Sequence, residues 1–216
     1  MTRAAALVSG DGYKLQAILD AMYFHELNDF ELVAVITPDK NTKAMKRAAS
    51  SKVPCFVVEP ELFPNMTSHS MAVANKLKDL DIELVVCAGF SERLGYSLLH
   101  HYKNRVINVQ PALFPAFCAS DGFDAVSAVE QTLLRGVRIT GATAYFMGEE
   151  DTGCGPIILQ RAIAVHQSDT EATLSERIMR DCEWKVLPMA VRLFCEGRLR
   201  VEGEKVYILE KKTDVS

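Results

Sequence analysis

The run Ala4-Ala5-Ala6-Leu7-Val8-Ser9-Gly10-Asp11-Gly12-Tyr13-Lys14-Leu15-Gln16-Ala17 decides the fold. Its first residues are apolar without alternation, the pattern of a strand covered on both faces. A Gly-x-Gly turn then breaks the strand and opens a helix. The apolar run is too short for a secretory leader and stops at Ser9-Gly10-Asp11-Gly12, so a first strand is the better reading.

Working outward, the first half of the chain repeats this strand-then-helix alternation. Strands are expected over 4–9, 32–37, 55–58, 84–88 and 106–109, with helices over 14–25, 43–50, 69–80 and 95–102 between them. Continuous apolar strands separated by amphipathic helices predict an α/β fold: an open, mostly parallel twisted sheet with helices on both faces. The second half changes character. A helix over 125–135 closes at Gly136, and long strands over 138–147 and 156–165 flank a Gly- and acid-rich loop. A long helical stretch over 170–195, interrupted near Pro188, precedes a hairpin of 199–201 and 206–209 around Glu202-Gly203-Glu204-Lys205. One domain over 1–210 with a polar tail over 211–216 is the economical organisation.

The 216 residues can bury a sizeable core, and the net charge of −4 with mixed signs argues against nucleic acid and against a basic membrane patch. No apolar stretch approaches a membrane-spanning length. Six cysteines show no CxxC or zinc-finger spacing, which favours reduced, mostly buried thiols in a cytoplasmic protein and no metal. The partners expected are small molecules, with the chain a monomer or homodimer.

Five segments have residues suited to chemistry. Gly10, Asp11 and Gly12 form a turn whose backbone can approach an anion at a helix N-terminus, with Lys14 adding a charge and Tyr13 crowding the site. The competing reading is an ordinary turn capped by Asp11. In Ala88-Gly89-Phe90-Ser91-Glu92-Arg93-Leu94, small residues before Phe suit either a pocket rim for a flat ring or a tightly packed strand end. Asn108 and Gln110 end the fifth strand before Pro111 and Pro115. They are neutral amides able to support an oxyanion, or to satisfy the backbone of a turn. Asp151, within Gly148-Glu149-Glu150-Asp151-Thr152-Gly153-Cys154-Gly155, can move a proton through water, or belong to an exposed acidic loop. Glu183 on an apolar helix can bind hydroxyls, or pair with Arg180 or Lys185. None of the five histidines falls in these segments, and His100 and His101 read as surface residues.

In order and spacing the five segments resemble the glycinamide ribonucleotide formyltransferase family, from Ser9 to about Leu209. The family's phosphate-holding Ser-Gly-x-Gly-x-Asn-Leu-Gln is similar to Ser9-Gly10-Asp11-Gly12-Tyr13-Lys14-Leu15-Gln16. Its folate-pocket segment is similar to Phe90, Ser91, Glu92, Arg93 and Leu94 with the two residues before them. Its Asn-x-His-Pro strand end is similar to Asn108-Val109-Gln110-Pro111. Its Asp-x-Gly-Pro-Ile-Ile-Leu-Gln loop is similar to the segment from Asp151 to Gln160, and its substrate-contacting Glu to Glu183. The resemblance implies formyl transfer from 10-formyltetrahydrofolate, as co-substrate, to the amine of glycinamide ribonucleotide in purine synthesis. In that chemistry an Asn and a cationic His stabilise the tetrahedral oxyanion while an Asp relays a proton.

The departures gather at the site. Gln110 stands at the His position, the loop after Asp151 is two residues longer, and Tyr13 and Lys14 replace small or amide residues. Three readings follow: a slow or altered glycinamide ribonucleotide formyltransferase; a pseudoenzyme that binds folate or nucleotide; or a formyltransferase acting on another small amine.

Overall fold

A computed structural model describes residues 1–117, 125–148 and 155–211, with residues 125–127 described by backbone alone. Among the described residues nine strands, numbered along the chain with the ranges that follow, form one sheet in the order β3-β2-β1-β4-β5-β6-β7-β9-β8. The strands are β1 (Thr2–Leu7), β2 (Phe30–Thr37), β3 (Cys55–Val57), β4 (Leu84–Cys87), β5 (Val106–Gln110), β6 (Ile139–Phe146), β7 (Ile157–Ala164), β8 (Leu199–Glu202) and β9 (Lys205–Ile208). The β3 to β5 half is parallel, whereas β6 runs antiparallel to both β5 and β7. The sheet is thus mostly parallel, as expected, with a hairpin of β8 and β9 at its far edge.

The apolar run of β1 is continuous because each face has its own core. Ala4, Ala6 and Val8 pack with Leu15 and Ile18 of α1 (Tyr13–Tyr23), and with Ala44 and Ala48 of α2 (Lys43–Ser50). Ala5 and Leu7 face Val73 and Leu77 of α3 (Met66–Asp79), and Leu98 and Leu99 of α4 (Tyr96–His101). Successive strand side chains point to opposite faces, so every residue of such a strand must be apolar. Burying each of these Leu or Ile side chains contributes roughly 1.5–3 kcal/mol. α5 (Ala125–Leu134) follows β5, and α6 (Glu171–Ile178) and α7 (Trp184–Cys195) cover the α1 face.

The expected helix over 170–195 is instead two α-helices joined by a π turn, Met179–Glu183. The interruption therefore precedes Pro188, which sits buried inside α7. α6 starts with a capping box: Thr173 N–H donates to Thr170 Oγ1 at 3.3 Å, and Thr170 N–H donates to Thr173 Oγ1 at 2.9 Å. Element ends elsewhere differ from expectation by up to three residues, since capping geometry and not apolar pattern sets them.

Strand order reverses at β1, whose neighbours are β2 on one side and β4 on the other. Connections from the two strands leave in opposite directions there, opening a crevice beyond their C-terminal ends. The turn after β1 and the segment after β4 flank that crevice, and β5 ends beside it.

Candidate active site

At the turn after β1, Gly10 and Gly12 take positive φ values of 60° and 66°. Gly12 is obligatory for a second reason: a Cβ there would lie 2.9 Å from the Ala44 Cα of α2. Gly12, not Asp11, is the N-cap of α1, and no side chain caps that helix. Its first-turn N–H groups are left to water or an anion. Asp11 instead pairs with Lys43 at 3.0 Å, and this hydrogen bond holds its carboxyl below the ordinary value.

Arg47 of α2 braces the same turn. Its Nε donates to the Asp11 carbonyl at 2.9 Å and its Nη1 to Gln16 Oε1 at 2.6 Å. The guanidinium also lies 5.2 Å from the centre of the exposed Tyr13 ring.

The segment after β4 is tied to this turn. Ser9 N–H donates to the Gly89 carbonyl at 2.8 Å, and the Ser91 N–H and hydroxyl both donate to Ser9 Oγ at 2.9 Å. The Ser91 hydroxyl also meets Glu92 Oε1 at 3.1 Å. Phe90 is half-buried against the α3–α4 core and Leu94 is part of that core. Arg93 is exposed.

On β5, Val109 is buried toward α1 and α7, so Asn108 and Gln110 point to the opposite face. Asn108 Oδ1 accepts from the Val109 N–H at 2.8 Å, and Nδ2 donates to the Tyr145 hydroxyl at 3.0 Å. The first bond fixes the amide orientation, because a flipped amide would set two donors against each other. One Nδ2 hydrogen remains for a ligand. Tyr145 is the cross-strand partner of Asn108, and the Gln110 side chain lies beside the same hydroxyl. Burial pushes the Tyr145 phenol far up, overriding the two amides that favour the phenolate, so it remains a neutral O–H at physiological pH.

Behind the strand end, Thr143 Oγ1 donates to the Ala112 carbonyl at 2.7 Å and accepts from the Phe114 N–H at 3.1 Å. Gln160 Nε2 donates to both Thr143 Oγ1 and the Phe114 carbonyl at 3.0 Å. These bonds anchor the turn that follows Gln110.

Glu183 comes from the last position of the π turn and is only 4% exposed. It is not a surface carboxylate: the Arg180 pair goes to Asp181, while Lys14 Nζ reaches Glu183 Oε1 at 2.8 Å. That contact is an ion pair by distance, although Oε1 receives no hydrogen bond of good angle. Lys14 Nζ also donates to the Val109 carbonyl at 3.1 Å. β4 pairs with β5 only up to Asn108, which leaves that carbonyl open to the lysine.

Asp151 lies outside the described residues, as do Cys118 and Cys154. The strand ends that carry its loop are described. Met147 N–H donates to the Val106 carbonyl at 2.9 Å and Phe146 N–H to the Pro156 carbonyl at 3.0 Å. The loop therefore leaves β6 two residues past Tyr145, the partner of Asn108. Of the other thiols, Cys87 and Cys182 are buried and Cys55 and Cys195 half-buried, and all four are free. A groove of about 420 Å³ lined by Glu26, Asn28, Arg192, Cys195, Arg198 and Lys211 lies by the C-terminal end of α7 and includes none of the candidate residues.

The structure thus brings Lys14, Gly89, the Val109 carbonyl and Glu183 together, while Asn108 and Gln110 lie on the opposite face of the same strand end beside Tyr145. Sequence reasoning missed Tyr145 and Arg47. Tyr145 is placed by the β5–β6 register, for which the sequence holds no local signal. Arg47 sits among the charges of a short helix, where it looks like any solvated side chain.

Residues 2–191 match the sequence pattern of the family described as Formyl transferase. Phosphoribosylglycinamide formyltransferase of Bacillus subtilis is 32% identical, the match covering 89% of this chain and 94% of that one. The human trifunctional purine biosynthetic protein adenosine-3 is 33% identical over 92% of this chain, which spans only 19% of that protein's length. The crystal structure of glycinamide ribonucleotide transformylase 1 from Symbiobacterium toebii superposes with a TM-score of 0.89 at 34% identity, covering 97% of this chain and 95% of the other. A family pattern matched over nearly the whole chain, with relatives of this identity and coverage, places this chain in the formyl transferase family as a phosphoribosylglycinamide formyltransferase-like protein.

Proposed function

We propose that the protein transfers a formyl group from 10-formyltetrahydrofolate to the amine of glycinamide ribonucleotide, slowly, with neutral amides where a titrating side chain would ordinarily act. The observation that carries the proposal is the Asn108 amide, fixed by Val109 N–H and Tyr145 with one hydrogen left to donate. An oxyanion formed by amine attack on the formyl carbon meets that donor without any change of protonation. Gln110 offers a second neutral amide from the same strand face. The uncapped α1 turn suits the phosphate, and the small residues before Phe90 suit a folate ring. Asp151 is the proton relay of this reading, working through water. Reduced thiols support a cytoplasmic setting.

Loss of a titrating group or oxyanion donor costs on the order of 10²–10⁴ in rate, so the expected enzyme is slow and not silent. Gln110→His tests the reading: a gain of tenfold or more with glycinamide ribonucleotide supports it. A substitution without gain, in a protein that still binds folate, points to another acceptor. The Lys14–Glu183 pair is the specific observation favouring that second reading, formyl transfer to a different small amine.

A further inference from the structure

Lys14 crosses the whole crevice. It starts on the first turn of α1, passes Gly89 with its Cδ 3.8 Å from where a Cβ would stand, and ends between Val109 and Glu183. One side chain therefore runs from the first turn of α1 past the end of β4 to the end of β5 and the π turn before α7. An acceptor molecule entering between these elements must meet its ammonium.

The chemistry of the pair decides what is met. A carboxylate only accepts hydrogen bonds, so a free Glu183 would receive the O–H groups of a neutral diol. Here Lys14 Nζ sits 2.8 Å from Oε1. The ammonium only donates: one hydrogen goes to the Val109 carbonyl and its charge lies against Glu183, so it keeps hydrogen-bonding capacity to offer. The crevice thereby presents a cationic donor where an anionic acceptor would otherwise stand. Stripping the lysine from a carboxylate that is 4% exposed would leave a buried charge uncompensated, so a diol cannot displace it cheaply.

We infer that Lys14 is the specificity-determining residue of the acceptor end: it weakens binding of a neutral diol there and favours an amine bearing a carboxylate or similar anionic oxygen. The inference rests on the formyl-transfer reading for the reaction, but not for its test. Calorimetry is performed on the unmodified protein, Lys14→Met and Glu183→Gln. Two probes are titrated: glycinamide ribonucleotide, and succinate with saturating inorganic phosphate present to occupy the α1 turn. Lys14→Met is expected to bind glycinamide ribonucleotide at least tenfold more tightly and to lose succinate affinity. Glu183→Gln, which keeps the lysine and strands no carboxylate, is expected to bind succinate at least fivefold more tightly, and this arm stands if Lys14→Met does not fold. Unchanged or weaker glycinamide ribonucleotide binding by a folded Lys14→Met overturns the inference, as does a succinate affinity indifferent to Glu183→Gln. Binding of 10-formyltetrahydrofolate is measured separately: its absence from every form removes the formyl-transfer reading while the two titrations still judge Lys14.

Discussion

In the proposed reaction Asn108 can serve as an oxyanion donor because both ends of its amide are held. Val109 N–H holds the oxygen and the Tyr145 hydroxyl holds one hydrogen of the nitrogen. Tyr145→Phe removes the second restraint while keeping the ring contact with Phe114, whose centroid lies 4.8 Å away. Losing one such hydrogen-bond partner costs about 1–2 kcal/mol, and a tenfold rate change corresponds to about 1.4 kcal/mol. Tyr145→Phe is expected to lower kcat about tenfold with KM within about twofold and the melting temperature little changed. Steady-state kinetics beside a thermal melt checks this, and an unchanged kcat removes Tyr145 from the account. Asn108 and Gln110 were legible as an unusual strand end because two amides interrupt an apolar pattern. The bond from Asn108 to Tyr145 was not, since a one-residue shift of β6 would turn that phenol to the other face.

At the scale of elements, the π turn is what delivers Glu183. An unbroken α-helix from α6 to α7 would place position 183 at a different angle, because each π turn inserts one residue into the helical register. The sequence showed a long amphipathic stretch and a proline, and the proline drew attention to the wrong turn. α6 positions the start of this unit through its capping box. Thr170→Ala removes the acceptor for Thr173 N–H, a bond of 3.3 Å, and such a loss typically costs about 1 kcal/mol. Denaturant unfolding is expected to show that decrease with an unchanged slope, and a stability equal to the parent would mean that α6 is held by packing alone. The strand-and-helix alternation of the first half was readable because the continuous apolar strands admit only burial on both faces. The antiparallel addition of β6 and β7 was readable only as two long strands, with pairing partners unspecified.

At the scale of the whole molecule, the four described thiols lie in or against two apolar cores. Burial pushes the Cys87 thiol up to about 12 and the Cys195 thiol up to about 11. The sign follows from proton binding: the folded state holds these protons more tightly than the unfolded chain. Stability is therefore full below the ordinary thiol value of 9.0 and falls as pH rises from there toward about 12. Denaturant midpoints measured across that range are expected to decline, less steeply in Cys87→Ala; a midpoint flat through the range contradicts the burial argument. Outside those cores, Lys14, Glu183 and the Val109 carbonyl meet near the C-terminal ends of the parallel strands. The sequence marked most of the parts of that site but not their contacts, since Lys14 and Glu183 belong to opposite ends of the chain.

The proposed slow, folate-dependent formyl transfer depends on Asn108 as the donor. The most direct measurement is glycinamide ribonucleotide-dependent consumption of 10-formyltetrahydrofolate at high enzyme concentration, by the unmodified protein and by Asn108→Ala. The account predicts turnover above the buffer rate in the first, reduced on the order of 10²-fold or more in the second. No turnover above buffer in the unmodified protein, or turnover that survives the loss of Asn108, would contradict it.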